Sequence, residues 1–291
     1  MATDFNELTI TDAVLRSISN TPDARNRQIS TSLVKHLHSF VRDIVPSQEE
    51  WQFAIDFLTK VGQKCDSKRQ EFILLSDTLG VSMLVDVLNN RPAGTATEST
   101  VLGPFYVQGP PEFPLGSNIS QEMEGEPLYV SGTVRSATGA PLVGAVVDVW
   151  HSDKDGYYDV QQLDDLEGAA MRARFRTDEQ GQFRFWTVKP APYPIPHDGP
   201  VGQMLEAQMR HPWRPAHVHF WIEAPKHRRL ITHVFSAGDP YLESDVVFAV
   251  KQSLIRLFTE CAPGIAPDGR SVETPYVSLN YDFTLVPSRG L

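Results

Sequence analysis

The spacing of apolar residues changes near residue 98, and this change limits the folds open to the chain. Before it, apolar residues recur three and four positions apart, as on one face of a helix. This stripe consists of Ile29, Leu33, Leu37, Phe40, Val41 and Ile44. After it, apolar and polar residues alternate as along a half-buried strand, most regularly over residues 275–286. The chain is therefore predicted to have a helical N-terminal part followed by a β-rich part.

Three helices are predicted in the N-terminal part. Pro46 ends the first, because proline cannot continue a helix interior. Ser47 and Glu50 have the spacing of a capping box and open the second. The third covers residues 71–90 and stops near Arg91–Pro92. These helices have no sheet of their own to cover, so they must pack on each other, on the second part, or on a partner subunit.

Five segments of the C-terminal part are predicted to be strands, separated by turn signals such as SATGA and DEQG. They are PLYVSGTV (127–134), GAVVDVW (144–150), GQFRFWTV (181–188), AHVHFWI (216–222) and PYVSLNYDFTLV (275–286). Strands at this spacing favour an antiparallel β-sandwich. We therefore expect a mainly β chain with a helical domain at 1–98 and a sandwich domain at 99–291. Segment 245–258 fits a helix or a strand, and the choice stays open.

Composition excludes several classes of function. A formal net charge of −10, without a basic run, argues against a nucleic-acid surface. Two cysteines, Cys65 and Cys261, are too few for a zinc site of their own. The N-terminal residues lack the regions of a signal peptide, and no apolar stretch has the length of a membrane span. We expect a cytoplasmic protein.

The segment RPAHVHF (214–220) contains two histidines two residues apart. In a strand, His217 and His219 point to the same face, about 6.5–7 Å apart along the strand, so both can reach one metal ion. Histidines that are packed in a core or hydrogen-bonded to the backbone explain this pattern about as often as metal ligands do. Zinc and iron both accept imidazole, with a carboxylate, His211 or His233 as a further ligand. Taken by themselves, Tyr158 and Tyr193 are interpreted as half-buried rings whose hydroxyls contact water.

Six motifs resemble those of the intradiol ring-cleaving dioxygenases, in the family's order and spacing. They are LGPFY (102–106), GAVVDVWHSDKDGYY (144–158), DEQGQFRF (178–185), KPAPYPIPHDGP (189–200), RPAHVHF (214–220) and AGDPY (237–241). The N-terminal part is similar to the family's helical linker, so the resemblance covers nearly the whole chain. It implies that the chain is an oxidoreductase that cleaves an aromatic diol with dioxygen.

The resemblance also implies site residues. Tyr158, Tyr193, His217 and His219 would bind one non-haem ferric ion per subunit, and Arg214 would be the active-site arginine. Tyr193 would be the tyrosine that leaves the metal and accepts a substrate proton. Among rival interpretations, a zinc hydrolase would use the two histidines and a water, and a non-catalytic sandwich would bind a ligand or partner through its loops.

Four further segments are LLSDTLGVSMLVD (74–86), ESTVLGPFY (98–106), ITHVF (231–235) and ESDVVFAVK (243–251). In them the chain most resembles family members that cleave hydroxyquinol (benzene-1,2,4-triol) to maleylacetate, the tautomer of 3-hydroxy-cis,cis-muconate. Catechol or chlorocatechol cleavage to cis,cis-muconates is the alternative. The implied substrate pocket consists of Leu74, Asp77, Val101, Leu102, Gly103, Pro104, Phe105, Ile195, Pro196, Arg214 and Val247. Asp77 could accept a hydrogen bond from the third hydroxyl, or cap a helical turn. His233 stands where catechol-cleaving members commonly have glutamine.

The resemblance gives the N-terminal helices a further role. In the family such helices form the interface of a homodimer, and a phospholipid occupies a tunnel there. Burial against the chain's own sandwich would produce the same apolar stripe. We expect a homodimer through these helices, with a phospholipid as a possible ligand.

Overall fold

Six α-helices lie within the residues that the computed structural model describes, which are 4–66, 69–91, 94–121, 123–161 and 169–288. They are α1 (Ile10–Ile18), α2 (Ala24–Ile44), α3 (Gln48–Gln63), α4 (Glu71–Thr78), α5 (Val81–Asn89) and α6 (Pro200–Ala207). The chain divides into two compact units, residues 1–60 and 61–291. Among the described helices, none has both the length and the apolar content needed to cross a membrane.

The predicted helices are present, with one correction. The capping box is confirmed, because the Ser47 amide donates to Glu50 and the Glu50 amide donates back to the Ser47 hydroxyl. The third predicted helix is two helices, α4 and α5. Gly80 separates them with a φ of 72°, a left-handed conformation that favours glycine. Helix α1 was not predicted from the sequence, and Pro92, near which the third helix was predicted to stop, lies outside the described residues.

Fourteen strands are found in the described ranges. They are β1 (Pro127–Ser136), β2 (Val146–His151), β3 (Arg172–Arg176), β4 (Gln182–Val188), β5 (Tyr193–Pro194), β6 (Trp213–Arg214), β7 (His217–Glu223), β8 (Leu230–Ser236), β9 (Ile255–Arg256), β10 (Thr259–Cys261), β11 (Gly264–Ile265), β12 (Ser271–Val272), β13 (Tyr276–Asn280) and β14 (Phe283–Leu285). Sheet I has the order β3-β2-β7-β8-β9, and sheet II has the order β10-β13-β1-β14 with β4 paired to β1.

The β-rich fold with a helical N-terminal part is confirmed, but the sheets are mixed rather than purely antiparallel. Strand β1 runs parallel to β13 and β14, and β8 runs parallel to β9. Parallel neighbours need a long crossover connection, and the long stretch of chain between β1 and β13 provides one. Strands joined by a short hairpin would have to be antiparallel. Segment 245–258 contains only a short 3₁₀ turn at Gln252–Leu254 and strand β9.

The two sheets pack face to face through aromatic side chains. Phe220 of β7 contacts Phe183 of β4 and Phe283 of β14, at ring-centroid distances of 6.0 and 4.7 Å. Because side chains alternate along a strand, His217 and His219 project from the opposite face of sheet I. The sandwich core therefore supports the histidines from behind, and loops cover them.

Replacing Gly132 by alanine is expected to destabilise the sandwich. A Cβ at this position would lie 1.9 Å from the Tyr281 carbonyl oxygen, so β1 would have to shift. We expect the free energy of unfolding to fall by about 3 kcal/mol, measured by urea denaturation. Gly62→Ala is the control, because its Cβ would meet only the Phe72 ring at 3.5 Å. Equal stabilities of the two variants would contradict this account.

Candidate metal centre and substrate cleft

Strand β7 places both histidines at one point, as the alternating pattern predicts. Their Nε2 atoms lie 3.1 Å apart, and both side chains are buried. The His217 Nδ1 atom lies 2.7 Å from the Pro215 carbonyl oxygen, so Nδ1 donates and Nε2 keeps its lone pair. Burial lowers the pKa of both histidines well below its ordinary value. Both rings are therefore neutral and available as ligands.

Tyr158 lies in the turn that follows β2, directly beneath this pair. Its Oη atom is 3.1 Å from His219 Nε2 and 3.4 Å from His217 Nε2. The Tyr158 amide donates to the Gln161 side chain, which fixes the turn. The ring is fully buried rather than half-exposed, which rules out the interpretation of a hydroxyl in water.

Tyr193 reaches the same point through a very short ladder. Residues Tyr193 and Arg214 are paired in the β5–β6 register. The Tyr193 Oη atom lies 3.5 Å from Tyr158 Oη and 3.5 Å from Arg214 Nη1. Arg214 Nη1 is also 3.4 Å from His217 Nε2. All five residues named by the resemblance thus meet in one buried cluster.

The donor set of this cluster fits a multivalent cation. Burial, followed by the neighbouring Tyr193, raises the pKa of Tyr158 well above its ordinary value. A phenolate is therefore stable there only beside a strong positive charge. The tyrosine Oη and histidine Nε2 atoms lie 3.1–3.5 Å from one another. Ligand atoms that each bind one ion at about 2.1 Å have separations of this size. The cluster is consistent with a non-haem metal site.

His233 is a further histidine at the cluster. One nitrogen from each of His217, His219 and His233 lies within 4.8 Å of the others. The Nδ1 atom of His233 is hydrogen-bonded to Thr100, 2.5 Å away. His211 is engaged elsewhere: its Nδ1 accepts from the Trp213 amide, and its ring packs on Tyr241. Of the two extra histidines considered from sequence, the structure brings only His233 to the site.

Asp245 is a site residue that the sequence analysis missed. Its carboxylate accepts hydrogen bonds from Arg214 Nε at 3.1 Å and Nη2 at 3.4 Å. It also accepts from the amides of Val247 and Ala249, at 3.3 and 3.0 Å. Burial is the largest influence on the pKa of Arg214 and lowers it, but Asp245, Tyr193 and Tyr158 together raise it above its ordinary value. A permanently charged guanidinium therefore faces the tyrosine–histidine cluster.

A cleft of about 910 Å³ opens beside the tyrosines. Five residues of the predicted pocket line it: Leu74, Pro104, Phe105, Ile195 and Pro196. Phe105 stacks on the Tyr158 ring at 4.4 Å, which joins the cleft to the cluster. The lining also includes residues that the sequence analysis did not name, among them Arg69, Tyr106, Tyr157 and Asp198.

The remaining predicted pocket residues lie around the cluster rather than in the lining of this cleft. Gly103 lies close to His219, since a Cβ added to this glycine would be 3.2 Å from the imidazole ring. Val247 follows Asp245 in the turn that holds Arg214. Val101 and Leu102 are on the loop that leads to Phe105, with Val101 buried.

Asp77 is buried near the end of α4. Burial raises its pKa, whereas a hydrogen bond from Ser82 and the charge of Arg214 lower it. The bond to Ser82, in the first turn of α5, joins two side chains and is not the helix cap considered from sequence, because α5 has no side-chain cap hydrogen bond. The hydrogen bond from Asp77 to a third substrate hydroxyl stays a prediction.

Comparison with known proteins agrees with this geometry. A family model described as "Dioxygenase" matches residues 101–287, and one described as "Catechol dioxygenase N terminus" matches residues 23–97. The 6-chlorohydroxyquinol 1,2-dioxygenase of Cupriavidus pinatubonensis is 46% identical over 98% of this chain and 99% of its own. The hydroxyquinol 1,2-dioxygenase of Corynebacterium glutamicum is 48% identical, over 97% and 94% respectively.

A solved structure is similar over the same extent. The hydroxyquinol 1,2-dioxygenase from Pseudomonas putida DLL-E4 superposes with a TM-score of 0.90 at 47% identity. The match covers 97% of this chain and 99% of that one. Sequence motifs, full-length relatives and shared fold together show that the chain belongs to the intradiol ring-cleavage dioxygenases.

Proposed function

We propose that the protein is an iron(III)-dependent hydroxyquinol 1,2-dioxygenase, which uses dioxygen to cleave benzene-1,2,4-triol to maleylacetate. The observation that carries the proposal is the convergence of two buried tyrosine oxygens and two imidazole nitrogens beside a buried arginine. The choice of substrate is supported by the names of the full-length relatives.

In this proposal, Tyr158, Tyr193, His217 and His219 hold the iron. Two phenolates offset most of the charge of a trivalent ion, and hard oxygen donors suit it better than a softer ion. When bound, the ferric ion withdraws electron density from a chelated aromatic diol and so activates the ring towards dioxygen. The remaining contributions come from the protein's own side chains.

Tyr193 is the better placed of the two tyrosines to accept a substrate proton. Tyr158 is packed beneath Phe105, and its Oη lies close to both imidazoles. Tyr193 adjoins Pro194 and Ile195, which line the cleft. We therefore assign one hydroxyl proton of the substrate to Tyr193 Oη. Arg214, 3.5 Å from that oxygen, would stabilise the negative charge left on the substrate.

Asp77 supplies a basis for preferring a triol. Its carboxylate would accept a hydrogen bond from the third hydroxyl, which catechol lacks, and a site built for such a bond discriminates strongly. Replacing Asp77 by asparagine is expected to lower the ratio of kcat/KM for hydroxyquinol to that for catechol by roughly tenfold. Asp86→Asn, a buried acid of α5, should leave the ratio unchanged. An unchanged ratio in both variants would rule out this role for Asp77.

The substrate assignment is tested by measuring kcat/KM for hydroxyquinol, catechol and 4-chlorocatechol side by side. We expect the highest value with hydroxyquinol. Equal or greater efficiency on catechol would instead favour a catechol 1,2-dioxygenase that produces cis,cis-muconate, with the same metal ligands.

We also propose that the protein is a homodimer through α2 and α3. The apolar stripe of α2 is exposed in the single chain, as are Trp51, Phe53 and Leu58 of α3. A second copy would cover these faces, and a phospholipid could share them. Sedimentation velocity should give a dimer, and lipid extraction with mass spectrometry detects the phospholipid. We further propose a domain boundary at residues 98–99, which is supported by family matches that end at residue 97 and begin at residue 101.

A further inference from the structure

Four side chains form a row across sheet I. Arg172 of β3 lies opposite Trp150 of β2, Trp150 lies opposite His219 of β7, and His219 lies opposite His233 of β8. Residues directly opposite each other in a sheet project from the same face. All four side chains are buried. We call them the cross-strand row.

Each member of the cross-strand row has one buried nitrogen without a hydrogen-bond partner among the described residues. These atoms are Arg172 Nη1, Trp150 Nε1, His219 Nδ1 and His233 Nε2. Only two other buried side-chain atoms in the described ranges share this condition, and they lie elsewhere. An unpartnered buried polar atom costs about 1–3 kcal/mol, so four in one row require an explanation.

The chemistry of these nitrogens calls for an acceptor. Arginine and tryptophan nitrogens only donate. His219 directs Nε2 at Tyr158 and His217, so its Nδ1 carries the proton when Nε2 binds a metal. The other nitrogens of Arg172 are already used, since Nε and Nη2 donate to Asp159. At least three neighbouring donors therefore lack an acceptor.

Two rings of the cross-strand row, those of Trp150 and His219, are stacked face to face. Trp150 stacks on His219 with a centroid distance of 4.5 Å and an interplanar angle of 14°. Stacking brings the two rings close enough for one small acceptor to bridge their N–H groups if both point to the same side of the stack. The contrast with His217 is clear, because its Nδ1 already donates to the Pro215 carbonyl. A metal-binding histidine normally has such a partner, which fixes its orientation.

We propose that buried water accepts hydrogen bonds from the cross-strand row, with one molecule bridging Trp150 Nε1 and His219 Nδ1. Trp150 is then a positioning residue for His219, an inference that rests on the proposed metal-binding role of His219. Water suits the row better than an anion because the nearby cations, Arg172 and Arg214, already have buried carboxylate partners. Water also donates, as His233 Nε2 requires if it is an acceptor.

Replacing Trp150 by phenylalanine tests the inference, because the variant keeps a ring over His219 but loses the N–H donor. We expect the metal of the purified holoprotein to be removed by a chelator about tenfold faster, the lower end of the effect of losing such a partner. Trp186→Phe is the matched control: its Nε1 donates to the Asp268 carboxylate. The control should share any loss of stability but keep the wild-type rate of metal removal.

The outcomes separate this inference from the proposed function. Wild-type protein that retains no metal would defeat the metal assignment itself. Wild-type protein that holds metal, with an unchanged removal rate in Trp150→Phe, would overturn the inference alone. A high-resolution crystal structure of the holoprotein provides the second readout: ordered water within hydrogen-bond distance of Trp150 Nε1 and His219 Nδ1 is expected. An anion at that position, or no density there, would also overturn it.

Discussion

Replacing Tyr193 by phenylalanine is expected to lower kcat by about 10²–10⁴, the range typical of losing a general base. The variant keeps the ring that packs near Phe105 and loses only the Oη atom that lies beside Arg214. Three of the four proposed ligands remain, so much of the metal should be retained. Metal content by elemental analysis, together with single-turnover kinetics, separates the loss of chemistry from the loss of metal.

Two other tyrosines provide the comparison. Tyr157 lines the same cleft and is exposed, so Tyr157→Phe should remain close to wild type. Tyr158→Phe should lose more metal than Tyr193→Phe, because Tyr158 Oη is the oxygen closest to both imidazoles. If Tyr193→Phe turns over at the wild-type rate, its assignment as proton acceptor is wrong.

Replacing Arg214 by leucine is expected to lower kcat/KM by about 10²–10³, as when a preorganised donor to developing charge is removed. The guanidinium lies 3.4 and 3.5 Å from His217 Nε2 and Tyr193 Oη, in a buried site where its charge is poorly screened. The same change leaves Asp245 buried without its partner, which should cost about 3–5 kcal/mol of stability. Steady-state kinetics and urea denaturation measure the two effects separately.

A double variant distinguishes lost charge from lost structure. Arg214→Leu combined with Asp245→Asn removes both charges, so much of the stability should return. The activity should not return, because the cation that faces the substrate is still missing. Recovery of activity together with stability would show that Arg214 acts only as a structural partner of Asp245.

Local patterns were enough to predict the parts of the site that depend on local geometry. Strand alternation alone placed His217 and His219 on one face, and the Ser47–Glu50 spacing predicted a helix start that the structure contains. The sequence also contains a signal for the break between α4 and α5, because Gly80 lies at the junction and adopts a left-handed conformation. Apolar residues continue on both sides of Gly80, so the segment was predicted as one helix.

Other parts of the site depend on contacts that no local pattern encodes. Tyr193 is positioned by a two-residue ladder with Arg214, too short to leave a periodic signal, so only the family resemblance identified it. Asp245 lies in segment 245–258, whose irregular backbone includes a left-handed Phe248. The cross-strand row depends on the register between four strands, which the packing of the two sheets sets.

The visible spectrum of the purified protein with its native metal tests the central claim most directly. Iron(III) bound by the phenolates of Tyr158 and Tyr193 should give a wine-red protein with a charge-transfer band. That band should shift when hydroxyquinol is added in the absence of oxygen. A colourless, fully folded protein that carries zinc, for example on His217, His219 and His233, would contradict the account.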